Sequence, residues 1–339
     1  MESENISILS WNRFRSRFLY IAPEIVGKSH EFTYDGHLVT ISLPSLDKLT
    51  PREDLTKLED HEQVLLCYNS WKEENGVENP IAYWVGYVNV TINISDVINV
   101  PSGILNHPPN AYDLLSEERQ NNFNEIAGYQ VKIAERAFEY WLKVIRWQSD
   151  NSLIGRPEVR GFESGWSTYL IEKDTRKRIW IGIETIVVEK EKFVTIQDWN
   201  NTSKLLKQGV HSPIYVDYYF DALEHFRLED WGRCVIDLAV SCEALMRGFV
   251  VSNLPSDQSK SIVNYIDQAN IHNYIDKFVS DFLDPVKKKS FDNLKKDLKD
   301  LFTARNAIAH GGKLNSLSSK DCQRFIKVIR NLIDLILQL

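Results

Sequence analysis

The residues best suited to chemistry form a short segment near the end of the chain, Arg305–His310, with the sequence RNAIAH. An imidazole can move protons to or from a 2′-hydroxyl or a leaving oxygen, and a nearby guanidinium can stabilise charge on a phosphate. These groups together suit RNA cleavage without a metal. We therefore predict that Arg305, Asn306 and His310 are the catalytic residues.

A single helix is predicted to carry the three residues, because apolar side chains recur along one side of the segment Lys288–Gly312. Arg305 falls in the middle of that apolar stripe. A guanidinium there cannot lose its charge, so it needs an anion or a water-filled cleft. Asn306 and His310 lie one turn apart on the flank of the stripe. We expect one cleft to hold Arg305, Asn306 and His310.

Three lysines around the motif are predicted to bind RNA: Lys295, Lys299 and Lys313. Lys295 and Lys299 could follow the phosphate backbone. They alternate with aspartates, however, and such a mixture is more typical of a solvated helix face. Both interpretations stay open at this point.

Glu243 is predicted to support the site by orienting Arg305 from another helix. One alternative is that Glu243 faces solvent, and another is that Glu243 and Arg305 form a buried ion pair with a purely structural role. His310 also has an alternative role, as a C-terminal helix cap whose positive charge complements the helix dipole.

The elements that position these residues are predicted to be helices. From residue 209 to residue 339 the sequence is almost purely helix-patterned, which indicates an all-α bundle. The predicted helices are Ile214–Arg227, Asp230–Val251, Val286–His310 and Ser318–Gln338, with shorter helical pieces within Asp257–Leu283.

Residues 1–208 are predicted to form a separate α+β domain, which is β-rich with one long helix. Its role is unknown, and a sensor or regulatory domain is one interpretation. The predicted strands are Glu31–Leu43, Ile81–Ile94, Trp166–Glu172 and Arg178–Val188, and the predicted helix is Glu117–Gln148.

The size and charge of the chain limit its function. At 339 residues the chain exceeds the usual size of one hydrophobic core, so two domains are expected. The formal net charge is -7, with 23 Lys and Arg against 30 Asp and Glu up to residue 213 and 17 against 17 after it. This balance argues against a protein that coats nucleic acid through a general positive field. Any contact with RNA must be local.

Several classes of site are not supported by the sequence. The four cysteines show no C-x-x-C pair, so we predict buried thiols, no metal and no cofactor. Motifs of P-loop NTPases, zinc proteases and serine hydrolases are absent. No apolar run approaches the roughly 20 residues of a membrane span, and the N-terminus does not resemble a secretory signal. We expect a cytoplasmic protein without a membrane partner.

The pattern R-N-x-x-x-H at Arg305–His310, before the last helix of an all-α bundle, resembles the catalytic motif of the HEPN ribonucleases. The segment Ala222–Val250 resembles the first two helices of the Apea-like HEPN branch. The resemblance implies a metal-independent endoribonuclease that leaves a 2′,3′-cyclic phosphate, a composite site across a homodimer, and a bacterial anti-phage or toxin-like role. The alternative is a non-catalytic HEPN module that binds RNA or a protein partner.

A homodimer through the C-terminal domain is also expected from the motif itself. A two-fold axis beside the motif would place two copies of Arg305 and two of His310 around one phosphate. The apolar stripe could then serve partly as the interface. The expected partners are RNA, a second copy of this chain, and a trigger ligand or protein at the N-terminal domain.

Overall fold

The structure, a computed structural model, describes residues 3–16, 18–45, 65–67, 71–74, 77–102, 113, 115–156, 168–171, 178–182, 193–255, 264–266, 268–310 and 317–337. The chain divides into two compact units, Met1–His211 and Ser212–Leu339, where the sequence predicts a boundary at residues 208 and 209. The predicted fold class is confirmed, because the first unit combines sheets with a long helix and the second is helical. Within the described ranges, no helix has both the length and the apolar sequence needed to cross a lipid bilayer.

The described strands all lie in the first unit. They are β1 (Ser3–Arg15), β2 (Tyr20–Ile21), β3 (Ser29–Tyr34), β4 (His37–Ser42), β5 (Leu65–Cys67), β6 (Trp71–Glu74), β7 (Val77–Pro80), β8 (Tyr83–Val85), β9 (Tyr87–Pro101), β10 (Thr168–Ile171) and β11 (Arg178–Gly182). The main sheet is antiparallel, in the order β1, β9, β4, β3. A second sheet has the order β2, β8, β5, and two further pairs join β6 with β7 and β10 with β11.

Two predicted strands are each divided in the structure. The segment Glu31–Leu43 is a hairpin of β3 and β4, because Asp35 and Gly36 adopt positive φ angles of 50° and 79° and form a two-residue turn. The segment Ile81–Ile94 divides at Gly86 into β8 and β9, which belong to different sheets. Strand β1 was not predicted.

In the described part of the first unit, the α-helices α1 (Glu117–Gln148) and α2 (Ile196–Lys207) pack against each other. Helix α1 has the predicted bounds, and its residues Ile133, Ala137 and Trp141 are fully buried at helical spacing. Helix α2 was not predicted, although the capping box of Thr195 and Asp198 marks its start.

The second unit is a bundle of helices. They are α3 (Ile214–Arg227), α4 (Trp231–Ser252), α5 (271–281, formed by Ile271–Asn273, the π-helical turn Tyr274–Phe278 and Val279–Asp281), α6 (Pro285–Ala309) and α7 (Ser319–Leu337). Helix α4 packs against α3, α6 and α7, and α6 packs against α7. Cys234, Cys242 and Cys322 are free, buried thiols in this core, as predicted.

A buried histidine joins the helices of the first unit to its main sheet. His30 of β3 is 1% exposed and stacks on the ring of Trp199, with the ring centroids 3.7 Å apart. The indole N–H of Trp141 donates to His30 Nδ1 at 2.9 Å, so Nδ1 carries no hydrogen. His30 Nε2 therefore carries the hydrogen and donates to the Trp199 carbonyl at 3.0 Å. The imidazole is neutral and both of its nitrogens are satisfied.

This neutral histidine predicts that the first unit loses stability in acid. Burial lowers the pKa of His30 to about 4, although its bond to the Trp199 carbonyl opposes the shift. Between about pH 6.5 and pH 4 the unfolded chain binds a proton that the folded unit does not bind, so stability falls by up to about 3 kcal/mol as the pH falls. Urea unfolding followed by tryptophan fluorescence across this range measures the loss. The His30→Phe variant should be less stable than the wild type at pH 7.5, and its free energy of unfolding should change less with pH. If the free energies of unfolding of the two proteins change with pH in parallel, His30 is not the group responsible.

Candidate active site

Helix α6 carries the predicted motif. It begins at the cap residue Asp284, whose side chain accepts from the backbone N–H groups of Val286 and Lys287. Its buried residues are Phe291, Leu298, Leu301 and Phe302. Of the described residues in α6, none beyond Phe302 is buried, so the last turns with the motif leave the core.

Arg305 lies half-buried on this part of α6. Its Nη1 donates to Asn306 Oδ1 at 3.0 Å, and no other described residue is a hydrogen-bonding or ionic partner of its guanidinium. The alternative ion pair with Glu243 is not formed. A permanent charge that is half-buried without a carboxylate is the main electrostatic feature of the motif.

Arg305 and Asn306 border a cleft of about 340 Å³ in the second unit. Helix α4 contributes Glu243 and Arg247 to this cleft, the segment 269–272 lines another side, and α6 contributes Phe302 beside the motif. Arg305 and Asn306 therefore share a cleft with residues of α4 and of the segment 269–272.

Arg247 holds one wall of the cleft in place and was not predicted as a site residue. Its Nε and Nη2 atoms each lie 2.9 Å from a Glu243 oxygen. Nη1 donates to the Tyr274 hydroxyl at 3.2 Å and Nη2 donates to the Ala269 carbonyl at 3.1 Å. The guanidinium also lies over the Tyr274 ring, 4.9 Å from its centroid. Glu243 thus orients Arg247, whereas the sequence predicted that it orients Arg305.

His310 follows Asn306 by one helical turn, at the end of α6. It is the exposed cap of α6, with φ −95° and ψ 17°, and its backbone N–H bonds to the Asn306 and Ile308 carbonyls. It does not contribute to the lining of the Arg305 cleft. The structure brings Arg305 and Asn306 together, but it does not bring His310 to the same cleft within one chain.

Two of the lysines of α6, both predicted to bind RNA, are paired with carboxylates. Lys295 Nζ lies 2.8 Å from Asp292, and Lys299 Nζ lies 2.7 Å from Asp276. The hydrogen bond from Lys299 lowers the pKa of Asp276. These pairs favour a solvated, mixed-charge helix face. Lys313 lies outside the described residues.

One comparison with known protein families gives a match in this region. Residues 235–339 match the model of the family described as RiboL-PSP-HEPN. The C-terminal unit contains a HEPN domain. The match includes most of α4, the cleft and the motif on α6, and HEPN domains are a family of nuclease or RNA-binding modules. Neither the curated proteins nor the solved structures that were compared with the chain gave a match.

We predict that Arg247 stabilises the HEPN domain more than an exposed arginine on the same helix. Arg247→Ala would leave Glu243 without its cation and would remove the donors to Ala269 and Tyr274, so the free energy of unfolding should fall by about 2 kcal/mol. Arg233→Ala is the matched control, because its pair with Asp230 is mostly exposed and should contribute less than about 0.5 kcal/mol. Urea unfolding followed by circular dichroism measures both, and equal losses would disprove the anchoring role.

Proposed function

We propose that the C-terminal unit is a metal-independent endoribonuclease of the HEPN type. The environment of Arg305 supports this proposal most directly. Its guanidinium is half-buried beside a cleft and has no carboxylate partner among the described residues. A permanent charge in that setting is best stabilised by an anion from outside, and a backbone phosphate of RNA supplies one.

The proposed reaction needs two proton transfers. The 2′-oxygen of a ribose attacks the adjacent phosphorus, and the bond between phosphorus and the 5′-oxygen of the next nucleotide breaks. A base removes the 2′-hydroxyl proton and an acid protonates the leaving 5′-oxygen, which yields a 2′,3′-cyclic phosphate and a 5′-hydroxyl. His310 is the proposed proton carrier. Arg305, held by Asn306, stabilises the charge that develops on the phosphate oxygens.

We further propose that two copies of the chain build each active site. One imidazole cannot be both base and acid in the same step, whereas a dimer offers two. His310 does not line the Arg305 cleft of its own chain. Ala307 and Ala309 are exposed at the end of α6, so the helix offers small apolar residues for a two-fold contact beside the motif.

The wider role of the protein is also a proposal. We propose a bacterial anti-phage or toxin-like function, in which the N-terminal unit acts as a sensor or regulator of cleavage and Lys295, Lys299 and Lys313 help to bind RNA. The Apea-like branch remains a prediction from the segment Ala222–Val250, because the family match is to the RiboL-PSP-HEPN model.

One observation favours the second candidate function, a non-catalytic HEPN module that binds RNA or a protein partner. His310, the proton carrier of the first proposal, lies outside the cleft that contains Arg305. A module of that kind would need the guanidinium to bind a phosphate or a carboxylate, but it would not need the imidazole.

A cleavage assay separates the two functions. In EDTA, the wild-type protein should cut total RNA and leave 2′,3′-cyclic phosphate ends, whereas His310→Ala should lose at least about a hundredfold in rate. Arg305→Ala should lose cleavage to a similar extent, and Arg233→Ala should cut like the wild type. The readout is gel electrophoresis with end-group analysis. Identical RNA profiles for the wild type and His310→Ala would favour the binding module.

The composite site predicts that oligomeric state and activity change together. Ala309→Lys adds a charge to an exposed position beside Arg305 and should convert the dimer into a monomer that does not cleave. Thr303→Lys adds the same charge at an exposed position on another side of α6 and should leave the dimer intact. Light scattering at micromolar concentration and the cleavage assay measure both properties. A monomeric wild type that cleaves RNA through His310 would show that one chain suffices.

A further inference from the structure

The cleft beside Arg305 presents hydrogen-bond donors, because two of its acceptor oxygens are engaged from within the protein. Asn306 Oδ1 accepts from Arg305, and Asn270 Oδ1 accepts from the backbone N–H of His272 at 3.0 Å. The Arg305 guanidinium and the His272 backbone N–H can only donate hydrogen bonds. The side-chain oxygen of each asparagine must therefore face its donor, and the NH₂ group of that asparagine points elsewhere. Among the described residues, neither NH₂ group has an acceptor. The cleft therefore contains two amide groups with unused donors.

The charges of the cleft leave one positive charge unbalanced. Glu243 and Arg247 neutralise each other across contacts of 2.9 Å. Arg305 has only the neutral Asn306 as a partner among the described residues. One unbalanced cation with neutral donors around it suits a phosphodiester, which carries a single negative charge. The volume, about 340 Å³, is within the range of sites that hold small ligands.

The segment 269–272 borders the same cleft as the motif and is held by contacts that do not involve its side-chain donors. Arg247 binds the Ala269 carbonyl at 3.1 Å and thereby links the segment to α4. Asn270 caps the start of α5, and His272, which is exposed, follows two residues later. An imidazole carries at least one ring N–H that can donate to an oxygen. Asn270 and His272 therefore stand at a fixed wall of the cleft that contains Arg305.

We propose that this cleft is a subsite for a backbone phosphate of RNA, in which Asn270 and His272 contact the phosphate that Arg305 binds. This inference rests on the proposed ribonuclease function and extends the site from the motif on α6 to a second segment of the chain. RNA and a free nucleotide offer the same phosphate chemistry, so the experiment includes both.

The sharpest test is Asn270→Asp with Asn273→Asp as its matched control. Aspartate at position 270 still accepts from the His272 N–H, so the start of α5 is retained, but the donor that would face the phosphate becomes a negative oxygen. Asn273 is exposed on the same helical segment, and Asn273→Asp adds the same charge outside the lining of the cleft. His272→Ala removes the second proposed contact.

The probe is a short fluorescein-labelled 2′-O-methyl RNA of mixed sequence, which lacks the attacking hydroxyl and cannot be cut. Fluorescence anisotropy with the full chain should show that Asn270→Asp raises Kd about tenfold or more, that His272→Ala also raises Kd, and that Asn273→Asp has little effect. The dependence of log Kd on log salt should decrease by about 0.7 for Asn270→Asp, because the added negative charge offsets the one cation, Arg305, that neutralises the phosphate. An equal rise in Kd for the two aspartate variants would overturn the subsite. Binding of AMP as tight as that of the RNA would identify a mononucleotide site and would overturn the RNA assignment.

Two failures can be distinguished. If the wild type neither cuts RNA nor binds the 2′-O-methyl probe, both the proposed ribonuclease function and the proposed subsite are wrong. If the wild type cuts RNA but Asn270→Asp cuts and binds like Asn273→Asp, the subsite alone is wrong. Thermal unfolding of each variant shows whether a loss of binding reflects a loss of folding.

Discussion

The site depends on a property of arginine: the guanidinium keeps its charge, so each of the two arginines in the cleft needs its own source of negative charge. Arg247 has one inside the protein, since Glu243 binds it at 2.9 Å. The same guanidinium reaches the Ala269 carbonyl and the Tyr274 hydroxyl, and so it ties α4 to the neighbouring segment. Arg305 has only a neutral amide among the described residues. The ion pair of Glu243 and Arg247 therefore forms one wall of the cleft, and Arg305 is the charge that is available to a ligand.

The accuracy of the sequence predictions followed the length and regularity of each element. Helix α1 and helix α3 have the predicted bounds, because long runs of apolar residues at helical spacing leave little ambiguity. Helix α2 was missed because its buried face is Trp199, Thr202 and Leu206, and a buried threonine weakens the apolar pattern. The turn at Asp35 and Gly36 could have been found, since Asp-Gly between two β-rich runs is a strong hairpin signal.

The site was only partly predictable for a different reason. The pairing of Arg305 with Asn306 is local, and the spacing of Glu243 and Arg247 is the i,i+4 pattern of a helical ion pair, so it was visible in the sequence. The approach of residues 269–272 to α6 results from tertiary packing, and no periodicity reveals it. His310 was expected in the cleft, but it is the cap residue that follows Ala309 at the end of α6, and it does not line the cleft.

The distribution of charge explains why a site of this kind depends on short-range contacts and not on long-range attraction. The second part of the chain is balanced, with 17 basic and 17 acidic residues after position 213, and the lysines of α6 near the motif are held by aspartates. A balanced surface attracts a polyanion weakly at a distance, because paired charges are screened within about a Debye length. Any affinity for RNA must then come from few, well-placed contacts. A half-buried guanidinium in a cleft that also contains two amide side chains is suited to such contacts, since they are stronger where water is partly excluded.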